Sequence, residues 1–90
     1  MRSTYDYFTR SGVVFVTDRD EGGRSVTNDI ENVVSELIAR GVLRPGYRLT
    51  YRDSMGVWDE VVLDGHCRFV GFRSLNAGTP EEAREKMQAR

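Results

Sequence analysis

Residues 47–72 read YRLTYRDSMGVWDEVVLDGHCRFVGF, and the fold follows from where this stretch bends. Tyr47, Leu49 and Tyr51 alternate with Arg48, Thr50 and Arg52, the period-two pattern of a strand with one covered face. Ser54-Met55-Gly56 has the form of a three-residue hairpin loop with glycine at the left-handed position, and Asp64-Gly65 that of a two-residue turn. Three antiparallel strands are therefore expected, over Tyr47–Asp53, Val57–Leu63 and His66–Phe72.

Loop length sets which residues stand opposite one another. Folding about Ser54-Met55-Gly56 pairs Leu49 with Val61 and Tyr51 with Asp59; folding about Asp64-Gly65 pairs Leu63 with His66 and Val61 with Arg68. One face then collects Tyr47, Leu49, Tyr51, Val57, Val61, Leu63, Val70 and Phe72 and is expected to meet a helix. The other collects Arg48, Thr50, Arg52, Trp58, Glu60, Val62, Cys67 and Phe69. Arg52 beside Trp58 suggests a cation–π pair. The sequence leaves two arrangements of this second face open: an exposed surface, or one covered by the N-terminal arm or the last helix.

Upstream, Val13-Val14-Phe15-Val16-Thr17 is apolar at consecutive positions, as in a strand buried on both faces. Ile30, Val33, Val34, Leu37 and Ile38 form a helical stripe, predicting a helix over 28–40 capped by Thr27 or Asn28 and ended by Gly41. Thr79-Pro80-Glu81-Glu82 opens a second helix, with Thr79 as cap and Pro80 in the first turn. Residues 1–12 read as an arm or a short strand near Tyr5–Thr9. The 90 residues make a single domain. The expected class is α+β, a two-layer sandwich of order β-α-β-β-β-α. Its sheet is four-stranded and mostly antiparallel, with one principal helix packed on one face.

From residue 28 onward this order resembles that of the double-stranded RNA-binding domain, an α-β-β-β-α module, including the glycine before the last helix (Gly78-Thr79-Pro80-Glu81-Glu82). The resemblance implies RNA contacts from a lysine pair at the start of that helix, where this chain carries Glu81 and Glu82. Shared topology does not carry function. Thirteen basic against fourteen acidic residues give a net charge of −1, which speaks against nucleic acid. Of the basic residues only Lys86 is a lysine, an arginine bias that suggests a GC-rich bacterial source. No run is long and apolar enough for a membrane span, and Met1–Asp6 lacks the apolar stretch of a secretory signal. The cytoplasm is the expected compartment.

Cys67 is the single cysteine, so neither a disulfide nor a cysteine zinc cluster forms within one chain. His66 and Cys67 are strand neighbours that point to opposite faces, as do Asp59 and Glu60, so neither pair works as a catalytic couple. Asp18, Asp20 and Asp29 fall at positions 1, 3 and 12 of a calcium-loop pattern with Gly23 at its turn. Gly22 and Ser25 occupy its fifth and eighth positions, and no metal is expected. No catalytic residue or cofactor is assigned. The expected function is that of a non-enzymatic accessory or interaction protein. It binds a protein partner, or itself as a homodimer, through Arg48, Arg52, Trp58, Glu60 and Phe69. A nucleic-acid-binding module and a small-molecule or metal-binding domain are the alternatives.

Overall fold

Val13–Asp18 is buried over its first four residues, so both of its faces need a roof. Two helices supply them, on opposite sides of one sheet. In the computed structural model, which describes residues 5–19, 26–53 and 55–88, five strands run β1 (Tyr5–Arg10), β2 (Val13–Asp18), β3 (Arg48–Arg52), β4 (Trp58–Leu63) and β5 (Phe69–Ala77). A 3-10 turn, Val26–Asp29, leads into α1 (Ile30–Ala39) between β2 and β3, and α2 (Pro80–Gln88) follows β5. The strands lie side by side in chain order. All neighbours are antiparallel except β2 and β3, which run parallel because α1 carries the chain back across the sheet.

The four-stranded, mostly antiparallel sheet under one principal helix is therefore corrected to a five-stranded mixed sheet with two helices. The first twelve residues account for the extra strand. Ser11 (φ 53) and Gly12 (φ 77) form a two-residue hairpin loop with both residues left-handed, which folds Tyr5–Arg10 onto β2. Val14, Val16, Leu49, Tyr51 and Val61 pack with Val33, Val34 and Leu37 of α1. Val13, Phe15 and Trp58 pack on the other side with Ala83 and Met87 of α2.

The helix ends follow local chemistry. Val26 is fully buried and its amide donates to the Asp18 carboxylate (2.8 Å), which draws the lead-in to α1 into a tight turn. Helix α1 therefore starts at Ile30, with Asp29 rather than Thr27 or Asn28 at the cap position. Gly41 (φ 74) ends it as expected: the Gly41 and Val42 amides donate back to Ile38 and Leu37. At α2, Thr79 Oγ1 accepts from the Glu82 amide (3.1 Å) and Glu82 reaches the Gly78 amide (3.0 Å).

The β3–β4 register is the expected one, with Leu49 opposite Val61 and Arg52 opposite Trp58. The next hairpin is not. Asp64 accepts the amides of His66 (2.8 Å) and Arg68 (3.0 Å) on one carboxylate oxygen, and Cys67 (φ 60), not Gly65, takes the left-handed conformation. An aspartate that wraps its following amides stabilises this longer loop over a two-residue turn. Leu63 then stands opposite Phe69 rather than His66, and a bulge follows before Val62 meets Gly71 and Val61 meets Phe72.

Candidate functional site

The five residues expected to form a contact surface separate in the structure. Trp58 is 3% exposed, beneath α2, and its ring meets Phe15 edge-on (5.4 Å, 88°) rather than a guanidinium. Phe69 stands opposite Leu63 and packs against the α1 core, so the bulged hairpin moves it to the other side of the sheet. Arg52 is exposed at the end of β3. Arg48 and Glu60 do come together. Glu60, 5% exposed, accepts Arg48 Nε at 3.0 Å on one oxygen, and Arg73 Nε and Nη2 at 2.9 and 2.7 Å on the other. Arg48 Nη1 also donates to the Met87 carbonyl (2.9 Å), tying β3 to the last turn of α2. The carboxylate thus holds a sheet-to-helix clamp, and its second arginine, Arg73, escaped the sequence reading because the β4–β5 register differs.

The acidic stretch has a structural task in its described part. Asp18 accepts the Val26 amide on one oxygen and the Tyr51 hydroxyl on the other. Residues 20–25, which complete the calcium-loop pattern, lie outside the described residues. Among the described residues no group of three or more histidine, cysteine, aspartate or glutamate side chains gathers to hold a metal. Nor is any described helix long and apolar enough to cross a membrane.

Among the described residues nothing pairs with the outer flank of β1. Tyr5–Arg10 pairs with β2 without a register shift, and every residue after Tyr5 is exposed, including Tyr7 (38%) and Phe8 (40%). The two-residue loop closes on the Arg10–Val13 pair, so the peptide groups of Arg10, Phe8 and Asp6 face β2. By alternation those of Thr9, Tyr7 and Tyr5 point away from the sheet. The opposite flank, β5, is interrupted by register shifts at both ends of β4, the kind of irregularity that blunts an edge. Strand β1 has neither bulge nor proline.

The β1 flank has a distinct surface on each face. On the α2 face the rings of Trp58, Phe15 and Phe8 form a row, Phe8 stacked on Phe15 (4.8 Å, 13°), with the Arg10 guanidinium 5.9 Å above Phe8. Arg10 also pairs with Glu81 of α2, and Asp6 accepts from Arg19 Nε (2.8 Å). The Glu81 carboxyl is held below the usual carboxylate range by its own amide at the helix start and then by Arg10. On the α1 face, Tyr7 and Thr9 border a groove of about 430 Å³ whose far wall is Gly41, Val42, Arg44 and Tyr47. Above it, the Tyr5 hydroxyl donates to Glu36 of α1.

The sequence carried a signal for this flank: a Ser-Gly pair set between two strand-like runs, Tyr5–Thr9 and Val13–Thr17. A second open area lies along the other side of α1, where Phe69 and the helix residues Ile30–Asn32 line a hollow of about 300 Å³. Phe72, 42% exposed, touches Phe69 and Tyr51 beside it. The chain matches no protein-family profile, no curated protein and no solved structure.

Proposed function

We propose that this chain is a small non-enzymatic interaction domain that engages protein through strand addition at the free edge of β1. The observation that carries this reading is the combination of a regular six-residue edge strand with outward-facing peptide groups at Tyr7 and Thr9. An extended segment laid along β1 satisfies those groups with main-chain hydrogen bonds, while pockets for alternate side chains select the partner. Phe8 and the groove beside Tyr7 supply such contacts on the two faces of the sheet. The reading keeps the interaction role expected from the sequence and moves its surface. Arg48, Glu60 and Trp58 serve it indirectly, by securing α2 and the sheet beneath Phe15.

The test places a photoreactive benzoylphenylalanine at Thr9, and in separate variants at Phe72 and at Met55 in the exposed β3–β4 loop, in cells that make the protein. Thr9 is expected to cross-link to a polypeptide while Met55 does not. Cross-links at Phe72 with none at Thr9 would overturn the reading and transfer the site to the β5 side.

A further inference from the structure

The geometry points to a second copy of this chain as the occupant of the β1 edge, joined antiparallel about a two-fold axis at Phe8 to make one continuous ten-stranded sheet. This inference rests on the edge-recognition reading and names its partner. In an antiparallel pair, residues directly opposite one another point to the same face. A two-fold axis normal to the sheet keeps each face on its own side, so a residue can only face a residue of the same alternation class. Two central registers meet that condition for Tyr5–Arg10. Centring on Tyr7 sets Asp6 against Phe8, and Arg10 then faces residue 4, outside the described residues. Centring on Phe8 sets Asp6 against Arg10 of the second copy, and Arg10 against its Asp6.

The second register is self-complementary from Asp6 to Arg10, with Tyr5 falling opposite Ser11 of the turn. Its two Asp6–Arg10 pairs lie on the α2 face, where each copy already holds Arg19 against Asp6 and Glu81 against Arg10. Joining them produces a row of alternating sign: Arg19, Asp6, then Arg10 and Glu81 of the second copy. Between the two rows Phe8 meets Phe8, which extends the Trp58–Phe15–Phe8 series of rings across the axis. On the α1 face each Tyr7 stands opposite Thr9, at the mouth of the groove formed by Gly41, Val42, Arg44 and Tyr47. The outward peptide groups of Tyr7 and Thr9 fall opposite one another in this register, so they pair as a hydrogen-bonded couple. Phe8 and the charged pairs occupy the intervening positions, where opposing side chains sit closer.

The charge pattern supplies its own test. Sedimentation equilibrium is run from about 10 µM to about 1 mM, the range in which a short edge-to-edge interface associates, on the unaltered chain, on Asp6→Arg, on Arg10→Asp, and on an equimolar mixture of the two variants. The unaltered chain should dimerise with concentration. Each single substitution should weaken dimerisation about tenfold or more, because symmetry sets two like-charge pairs across every homodimer. The mixture should recover a dimer, since Asp6→Arg and Arg10→Asp chains restore both opposite-sign pairs between them.

Circular dichroism checks that each variant is folded. Should one fail to fold, amide exchange of the unaltered chain gives an independent measure: Tyr7 and Thr9 must slow as concentration rises. A chain that stays monomeric throughout the range overturns the inference, as do single variants that dimerise normally or a mixture that does not recover. A monomer whose Thr9 position still cross-links to another polypeptide would remove the second copy and leave edge recognition standing. Absence of both removes the two together.

Discussion

Replacing Glu60 by alanine should destabilise the domain far more than any exposed carboxylate does. Glu60 is 5% exposed and neutralises two guanidiniums whose side chains are about a third exposed, Arg48 at 35% and Arg73 at 33%. Breaking a buried charge pair by removing one partner costs about 3–5 kcal/mol when the remaining charge has no route to water. Here both arginines can turn partly outward, which reduces the expected loss to about 2–3 kcal/mol. For a domain of this length each kcal/mol shifts Tm by about 4–8 °C, so Glu60→Ala should melt about 10–20 °C lower. Arg48→Met and Arg73→Met should each cost less, because the surviving arginine still answers the carboxylate. Thermal and urea unfolding of Glu60→Ala, Arg48→Met and the double variant close a cycle. The two losses should be non-additive by about 1 kcal/mol, as expected for residues in one network. A Glu60→Ala chain melting within about 2 °C of the original, or strictly additive losses, would refute the clamp.

Trp58→Ala removes a buried indole between Phe15 and α2 and should cost about 3–5 kcal/mol, a large share of the stability of a small domain; urea unfolding measures it, and a loss under about 1 kcal/mol would mean the ring is not core. Thr79→Ala should cost about 1 kcal/mol by removing the acceptor for the Glu82 amide, read as a lower urea midpoint at unchanged slope. The carboxyls of Asp64, Glu81 and Glu82 are all held below their ordinary values, Asp64 chiefly by the Arg68 and then the His66 amide, Glu82 chiefly by the Gly78 amide and then Lys86. Because the folded values are depressed, their contribution is present above the ordinary carboxylate range and is lost as pH falls through the lowered values. Melting temperature should therefore fall on acidification below about pH 4, and Asp64→Asn should make that fall shallower; an unchanged acid profile would contradict the loop geometry.

Much of the fold was legible where one residue type has one physical use. The apolar stripe Ile30–Leu37 and the left-handed Gly41 located α1, Thr79 located α2, and the left-handed Gly56 marked the bend between β3 and β4, whose Ser54 lies outside the described residues. Val13–Val16 announced a strand covered on both faces but not by what, since the arm and the last helix both remained open as the second cover; α2 supplies it. The errors arose where two local solutions compete closely. Asp-Gly reads as a tight turn, but the Asp64 carboxylate captures two later amides and selects a longer loop. That choice brings Arg73 to Glu60 and, with the bulge, carries Phe69 across the sheet. Ser-Gly is a weaker turn signal than Asp-Gly, and β1 is polar enough to pass for an arm, so the fifth strand lay in view without declaring itself.

The same weakness in the β1 pattern bears on the proposal that this strand is a recognition edge. A strand that completes a core is bought with apolar residues on at least one face, as β2 shows. Strand β1 instead mixes Asp6, Thr9 and Arg10 with rings that stay partly exposed, and its ladder to β2 is held by the backbone and the Ser11-Gly12 turn. Lone edge strands are commonly defended by proline, lysine or a bulge, since open peptide groups invite uncontrolled pairing. In the proposed pairing charge takes that place: Asp6 and Arg10 stand two residues either side of Phe8, on one face. An antiparallel partner strand lacking the opposite pattern forgoes the two opposite-sign pairs, each worth about 0.2–1 kcal/mol, and one with like charges there is repelled. On the proposed pairing such terms bias the edge toward a strand of matching pattern, while the backbone groups of Tyr7 and Thr9 supply the contact that any added strand would share.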